Sequence, residues 1–453
     1  MDYDVVVIGG GPGGYTAAIR AAQLGLKVSL VEEKEIGGTC LNRGCIPTKV
    51  LLNAVDVLDT FRSAEIFGVF GDASINIEKL KCFKIRTIKK LIKGVETLLK
   101  SNGVDLLRGK AVFVDNKTIE VKSEKISSTY FIIATGSLPI MPQINGIDNP
   151  AVMDSSKALD LESIPEKLLI IGAGVIGLEF ACIYQSLGSK VIIVELLEDM
   201  LPNLDRDIAN ILHKALVNKG IKVFFGSKIV KINEYNAIID VKGEEKIIPF
   251  DGVLVAVGRR PNYNGIENLS YLIKDGKIGV NDRMQTEIDN IYAIGDVVGP
   301  YQLAHVASYQ GIIAASNIAG IDKKISYRAV PSCMYTNPEV SWVGFNERQA
   351  RDKYGEIKVG RFPYFILPKA VLVGERDGLI KVVADEKNNT ILGFSIIGKK
   401  ATEVIHEAVV AIDAGYTVDA FAQIIHAHPT ISEGIKEACE DLLGNPINKL
   451  KNV

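Results

Sequence analysis

Two short apolar runs, Val5-Val6-Val7-Ile8 and Leu168-Leu169-Ile170-Ile171, each lead into a glycine-rich turn and then a helical stretch. Unbroken apolar runs of this length predict strands buried on both faces, as in a parallel sheet. After the first run, Gly9, Gly11 and Gly14 fit Gly-x-Gly-x-x-Gly. A helix follows to Gly25, and a strand over 27–31 ends at Glu32. After the second, Gly172, Gly174 and Gly177 supply the turn. A helix runs to Gly188, and a strand over 190–194 ends at Glu195. First glycine to acid is 23 residues in both copies (32 − 9 and 195 − 172). Third glycine to helix-ending glycine is 11 in both (25 − 14 and 188 − 177).

Such a unit has a physical purpose. Its glycines allow a tight turn and close backbone approach to a pyrophosphate, which faces the free N–H groups of a helix start. The carboxylate at the next strand end accepts from ribose hydroxyls. One copy is weak support, because any glycine-rich turn can match. Two copies in matching register predict two bound dinucleotides. Phe131-Ile132-Ile133-Ala134-Thr135-Gly136 and Val253-Leu254-Val255-Ala256-Val257-Gly258 read as strands returning the chain from each nucleotide half. Ile291-Tyr292-Ala293-Ile294-Gly295-Asp296 reads as a further strand. Asp296 at its carboxyl end is either a cofactor ligand or an ordinary strand-end turn residue.

From Val330 onward the texture changes to alternation around 340–343, 361–365, 379–383 and 391–397, predicting an antiparallel sheet. Helices are expected near 402–414 and 432–443. The predicted fold class is α/β: two Rossmann-like dinucleotide-binding domains plus a C-terminal α+β interface domain. The expected divisions are 1–143 and 263–329 for the first nucleotide domain, 144–262 for the second, and 330–453 for the third.

Composition narrows the function classes. With 453 residues, 47% apolar and 23% charged, the chain has material for several cores. A formal net charge of −2 gives no global field to hold nucleic acid or an anionic membrane. No apolar run reaches the roughly 18 residues of a membrane span, and the acidic start Met1-Asp2-Tyr3-Asp4 does not read as a targeting peptide. The expected compartment is the cytoplasm. Lys79, Lys81, Lys84, Arg86, Lys89, Lys90 and Lys93 cluster in one helical stretch. A solvated face accounts for them, and nothing else in the sequence favours nucleic acid.

Among six cysteines only Cys40 and Cys45 are close, in Gly37-Gly38-Thr39-Cys40-Leu41-Asn42-Arg43-Gly44-Cys45-Ile46-Pro47-Thr48-Lys49. A zinc site would want a second Cys or His pair, so no metal is expected. The pair is either redox-active or two unrelated thiols. Positions five apart in a regular helix point about 140° apart. Bonding therefore needs a distorted segment or a helix start, and Pro47 favours a start. A helix start also stabilises a thiolate, and Lys49 adds positive charge. Glu179, just past the second glycine motif, is a carboxylate that Lys49 either pairs with or never meets. Of the five histidines, two lie in Ile425-His426-Ala427-His428-Pro429-Thr430-Ile431-Ser432-Glu433. His428 and Glu433 are either a base and its orienting carboxylate or a loop histidine and a helix-start acid. On the second reading, Ser432 or Thr430 could equally cap the following helix.

Over essentially its whole length the sequence resembles the pyridine nucleotide–disulfide oxidoreductases. The resemblance implies FAD on Gly9, Gly11, Gly14, Glu32, Lys49, Thr135, Gly136, Asp296 and Ala304. It implies NAD on Gly172, Gly174, Gly177, Glu195 and Gly258. It also implies an active disulfide with Cys40 facing substrate and Cys45 facing flavin, a Lys49–Glu179 pair, and a His428–Glu433 dyad supplied across a homodimer. Glu195 followed by Leu196 and Leu197, without arginine, favours NAD over NADP. That points to the branch oxidising protein-bound dihydrolipoamide. The implied partner is a lipoyl-bearing carrier protein or the acyltransferase core of a 2-oxo acid dehydrogenase or glycine cleavage system. An NADPH-dependent disulfide reductase of the same fold and a non-catalytic flavin-binding assembly subunit are the alternatives. One departure is Lys369 in Ile366-Leu367-Pro368-Lys369-Ala370, where many relatives carry arginine.

Overall fold

The computed structural model describes residues 1–450. Its first sheet aligns five parallel strands in the order Asp105–Arg108, Val28–Glu32, Tyr3–Ile8, Glu124–Ile133 and Ile291–Ala293. Val5, Val6 and Val7 pair with Tyr130, Phe131 and Ile132 on one side and with Val28, Ser29 and Leu30 on the other. These valines have no exposed surface, which explains why the strand reads as an unbroken apolar run. The long strand Glu124–Ile133 also carries an antiparallel branch, Thr118–Val121 and Ala111–Asp115.

The second sheet is wholly parallel: Lys222–Phe224, Lys190–Val194, Lys167–Ile171, Gly252–Val255 and Val152–Met153. A three-stranded antiparallel meander, Ser227–Ile232, Asn236–Val241 and Glu244–Pro249, is added to it. The chain enters and leaves this unit through one ribbon, in which Ser137–Pro139 pairs antiparallel with Arg259–Pro261. It then returns to the first sheet at Ile291–Ala293.

The third sheet is antiparallel, ordered Ser332–Met334, Val340–Gly344, Ile391–Ile397, Leu379–Asp385 and Ile357–Pro363. Helices Ala401–Asp413 and Glu433–Leu442 pack on it. Two sequence expectations need correction here. The strand expected at 361–365 ends at Pro363, and Tyr364–Ile366 is a 3-10 turn. The two central strands do not alternate: Ile391–Ile397 is buried throughout, and Leu379–Asp385 is buried up to its last residue. Helices cover one face, and the second nucleotide unit meets the sheet elsewhere. There Lys381, only 2% exposed, pairs with Asp205 at 3.2 Å and Asp207 at 2.9 Å. Ser395 Oγ donates to Asp205 Oδ2 at 3.0 Å. A lysine in such a place is tolerated only because its charge is matched.

The lysine-rich stretch is the helix Ile77–Ser101. It is not a purely solvated face. Lys84 is buried and its ammonium donates to the Leu159 carbonyl. Among the described residues no helix is long and apolar enough to cross a membrane.

Candidate active site

The chain brings Cys40 and Cys45 together by breaking a helix. Gly38–Arg43 and Cys45–Arg62 are separate helices, with Gly44 at φ −147° and ψ −110° between them. That kink cancels the divergence a continuous helix would impose. A Cβ on Gly44 would stand 3.0 Å from the Thr39 carbonyl oxygen, so the turn has little room for a larger residue. Cys45 is the first residue of the second helix, and Pro47 sits in its first turn. The two cysteines are free thiols close enough to influence each other's protonation.

Their electrostatics are unequal. The Cys45 thiol is pulled down to about 7, first by the hydrogen bond from Cys40 and then by the Lys49 ammonium. Burial and the Glu179 carboxylate oppose this. Cys40 is pushed far up, chiefly by giving its proton to that same hydrogen bond and then by burial. The helix start at Cys45 favours the anion there as well. In the reduced pair these influences favour the negative charge on Cys45 and the proton on Cys40.

Lys49 lies one turn beyond Cys45. Its ammonium donates to both oxygens of Glu179, at 3.0 and 2.9 Å. Glu179 is 3% exposed, on the helix Val175–Ser186 of the second nucleotide unit. The Tyr335 backbone N–H, from the third sheet's edge, donates to Glu179 Oε1 at 3.0 Å. The Tyr335 ring centroid lies 4.6 Å from the Lys49 ammonium.

The two glycine turns are built alike. Glu32 accepts from the N–H groups of Gly10 (2.6 Å) and Lys34 (2.8 Å). Glu195 accepts from those of Ala173 (2.6 Å) and Leu197 (2.8 Å). A Cβ on Gly14 would stand 1.8 Å from the Gly9 oxygen, and one on Gly177 2.1 Å from the Gly172 oxygen. These third glycines are needed for helix–strand packing. Gly11 and Gly174, the N-caps of helices Pro12–Gln23 and Val175–Ser186, would meet no protein atom within 4 Å. The protein's own packing does not demand glycine there, whereas a phosphate approaching the helix start does. The residues present thus fit two dinucleotides.

Thr135, Gly136 and Gly258 lie just past their strands. Thr135 Oγ donates to the Asn262 carbonyl at 2.6 Å, while Gly136 and Gly258 take positive φ values of 70° and 112°. Asp296 is not at a strand end but in the turn Gly295–Val297, and Ala304 opens the helix Ala304–Ile318. Burial raises the Asp296 carboxyl, against a hydrogen bond from Ser137 and the charge of Arg259. Arg259 Nε donates to Ser137 Oγ at 2.8 Å, and the charges of Asp296, Asp154 and Cys45 act on the guanidinium.

His428 Nδ1 and Glu433 Oε1 are 2.9 Å apart. Glu433 Oε2 accepts from the Thr430 N–H at 2.8 Å. Burial raises the Glu433 carboxyl, but the Thr430 N–H and His428 outweigh it and hold it below the usual range. Neither Thr430 nor Ser432 caps the helix Glu433–Leu442: Ser432 has helical dihedrals, and the Thr430 hydroxyl donates to the Ala427 carbonyl. The His428 side chain is 66% exposed, and it is not among the charges bearing most strongly on either thiol of its own chain. Among the described residues no group of three or more His, Cys, Asp or Glu side chains is arranged to hold a metal ion.

Sequence reasoning missed Tyr335, Ser137 and Arg259. Arg259 follows Gly258 directly and was the most legible of them. Tyr335 carries no local signal, because its contacts lie 286 and 156 positions away (335 − 49 and 335 − 179).

Comparison with known proteins agrees with this geometry. Residues 3–311 match the model of the pyridine nucleotide-disulphide oxidoreductases, and residues 330–439 match that family's dimerisation domain. The dihydrolipoyl dehydrogenase of Thermus scotoductus is 44% identical over 450 residues, covering 97% of both chains. That of Staphylococcus aureus is 40% identical over 463 residues, covering 99% of this chain and 98% of its own. Among solved structures, the HOCl-induced flavoprotein disulfide reductase RclA of Escherichia coli superposes with a TM-score of 0.86 at 29% identity, covering 97% of this chain and 99% of its own. With both family models matched in order along the chain, it belongs to the pyridine nucleotide–disulphide oxidoreductase family.

Proposed function

We propose that this chain oxidises protein-bound dihydrolipoamide to lipoamide through Cys40 and Cys45 and reduces NAD⁺. The observation that carries the reading is the asymmetry of the thiol pair at a helix start, backed by the Lys49–Glu179 pair. The relatives of similar length named dihydrolipoyl dehydrogenase support the choice of substrate. Glu195, with exposed Leu196 and Leu197 beside it and no arginine, supports NAD. We assign 1–143 and 263–329 to FAD, 144–262 to NAD and 330–453 to the dimer interface.

The chemistry follows from the pair. A substrate thiolate attacks the Cys40 sulfur of the oxidised pair, and the Cys40–Cys45 bond breaks. Cys45 leaves as a thiolate because the thiol of lower pKa leaves faster. The second substrate thiol then attacks the mixed disulfide, closing the lipoyl ring and releasing Cys40. Two protons leave the substrate. One remains on Cys40 and the other goes to His428, whose ring Glu433 orients through Nδ1. His428 is exposed in its own chain, and the matched dimerisation domain supports its serving the pair of a second copy. Held on the first glycine turn and Glu32, FAD would supply a two-electron acceptor for the reduced pair and hydride chemistry toward NAD⁺. Lys49 holds charge balance beside Cys45, and Glu179 fixes Lys49. The partner is a lipoyl-bearing carrier or acyltransferase core of a 2-oxo acid dehydrogenase or glycine cleavage system. The compartment is the cytoplasm, where scattered cysteines stay reduced. Comparing NADH formation with NADPH formation from free dihydrolipoamide tests the reading; turnover with NADP⁺ alone would replace it with the NADPH-dependent alternative.

A further inference from the structure

The redox pair, Lys49 and Glu179 come from the two nucleotide units, yet a residue of the third sheet closes the group. The strand Ser332–Met334 pairs with Val340–Gly344. Tyr335, directly after it, makes two contacts at once. Its backbone N–H donates to Glu179 Oε1 at 3.0 Å, and its ring lies 4.6 Å from the Lys49 ammonium. Glu179 is buried, so a charge on it must be matched. The Lys49 ammonium and the Tyr335 N–H do so together. An ammonium within about 6 Å of an aromatic centroid is attracted to the negative face of the ring. Lys49 has four rotatable side-chain bonds, and a carboxylate on one side leaves it free to swing about that contact. A ring against it removes that freedom.

The geometry points to Tyr335 as a positioning residue for the redox centre. Its ring fixes where the Lys49 ammonium stands, one helical turn from Cys45, and its N–H keeps Glu179 turned toward Lys49. This deepens the proposed function, because it rests on Cys45 being the charged thiol. It also gives the third domain a part in the chemistry of its own chain, besides any role at a dimer interface. Removing the ring should let Lys49 swing about its Glu179 contact and away from Cys45, so the thiolate should become harder to form.

The test titrates the reduced FAD-loaded enzyme. Thiolate absorbance in the ultraviolet is read as the difference from reduced Cys45→Ser enzyme, a readout that needs no turnover. Tyr335→Phe keeps the ring and should titrate as the original does. Tyr335→Leu should raise the midpoint, leaving about two- to fivefold less thiolate relative to thiol at a given pH, from the usual strength of such contacts. Because the leucine variant can also disturb packing, pentafluorophenylalanine placed at 335 gives a shape-preserving control. It drains the ring face of negative charge and should shift the midpoint in the same direction as leucine. In a Lys49→Met background none of these changes should move the midpoint further. A midpoint unmoved by fluorination, or a leucine effect that persists without Lys49, would overturn the assignment. Absence of dihydrolipoamide turnover in the unaltered enzyme would instead refute the proposed substrate and leave these titrations readable.

Discussion

At the scale of single residues, the account rests on two sulfurs of opposite character. Cys45 is a better anion than an ordinary thiol because Cys40 donates to it and Lys49 stands beside it. Its thiol falls from an ordinary value of 9.0 to about 7. The sign for stability follows. A folded-state value below the unfolded one stabilises the reduced chain fully above about 9, and the contribution is lost as pH falls through about 7. The reduced enzyme should therefore unfold at progressively lower temperature, relative to Cys45→Ser, as pH drops from 9 to 6. Calorimetry at fixed ionic strength measures this, and a pH-independent difference would contradict the assignment of the charge to Cys45.

At the scale of elements, the duplicated turn makes its own prediction. Ala in a helix is ordinarily favoured over Gly by about 1 kcal/mol. At Gly177 that preference is reversed, because a Cβ would lie 2.1 Å from the Gly172 oxygen. Gly177→Ala should lower thermal stability and displace the helix start together. Gly174→Ala meets no protein atom, so its melting temperature should stay within a few degrees while KM for NAD⁺ rises about tenfold or more. Equal losses of stability in both variants would show that the second glycine is structural. The repeat was legible in the sequence because its spacing is local and recurs in the same register. The thiol pair was half legible: residues five apart promised a distorted helix, but the Gly44 break that delivers it has no period to detect. The central strands of the third sheet misled, because alternation reports a one-sided sheet. Here Lys381 and Ser395 are polar yet buried, paired to Asp205 about 180 positions away.

At the scale of the molecule, the site is assembled from three units, and the proposed base comes from a second copy. Lys49, Glu179 and Tyr335 meet from separate units. The segment bearing His428 is instead turned outward, next to Ile425 at 95% exposure and near Val410 at 65%. Large exposed apolar residues gathered on one surface, Val410, Ile424 and Ile425, suit burial against a second copy in a matched dimerisation domain. Local residue patterns do not display this; only the family resemblance points to a base from a second chain. Mixed dimers test it. Cys45→Ser and His428→Ala homodimers should both be inactive. Co-expressed, they should form a heterodimer in which one intact pair meets one intact histidine, restoring roughly half the activity of an unaltered dimer per heterodimer. A base acting within its own chain would leave that heterodimer inactive.

The central claim is that two electrons travel from a dithiol substrate through Cys40 and Cys45 to NAD⁺. The most direct measurement is NADH formation by the purified FAD-loaded protein given free dihydrolipoamide and NAD⁺, beside a Cys45→Ser variant with the same flavin content. The account predicts steady NADH production by the first and none above background by the second. NADH production that survives in Cys45→Ser, or its absence from the unaltered enzyme, would contradict it.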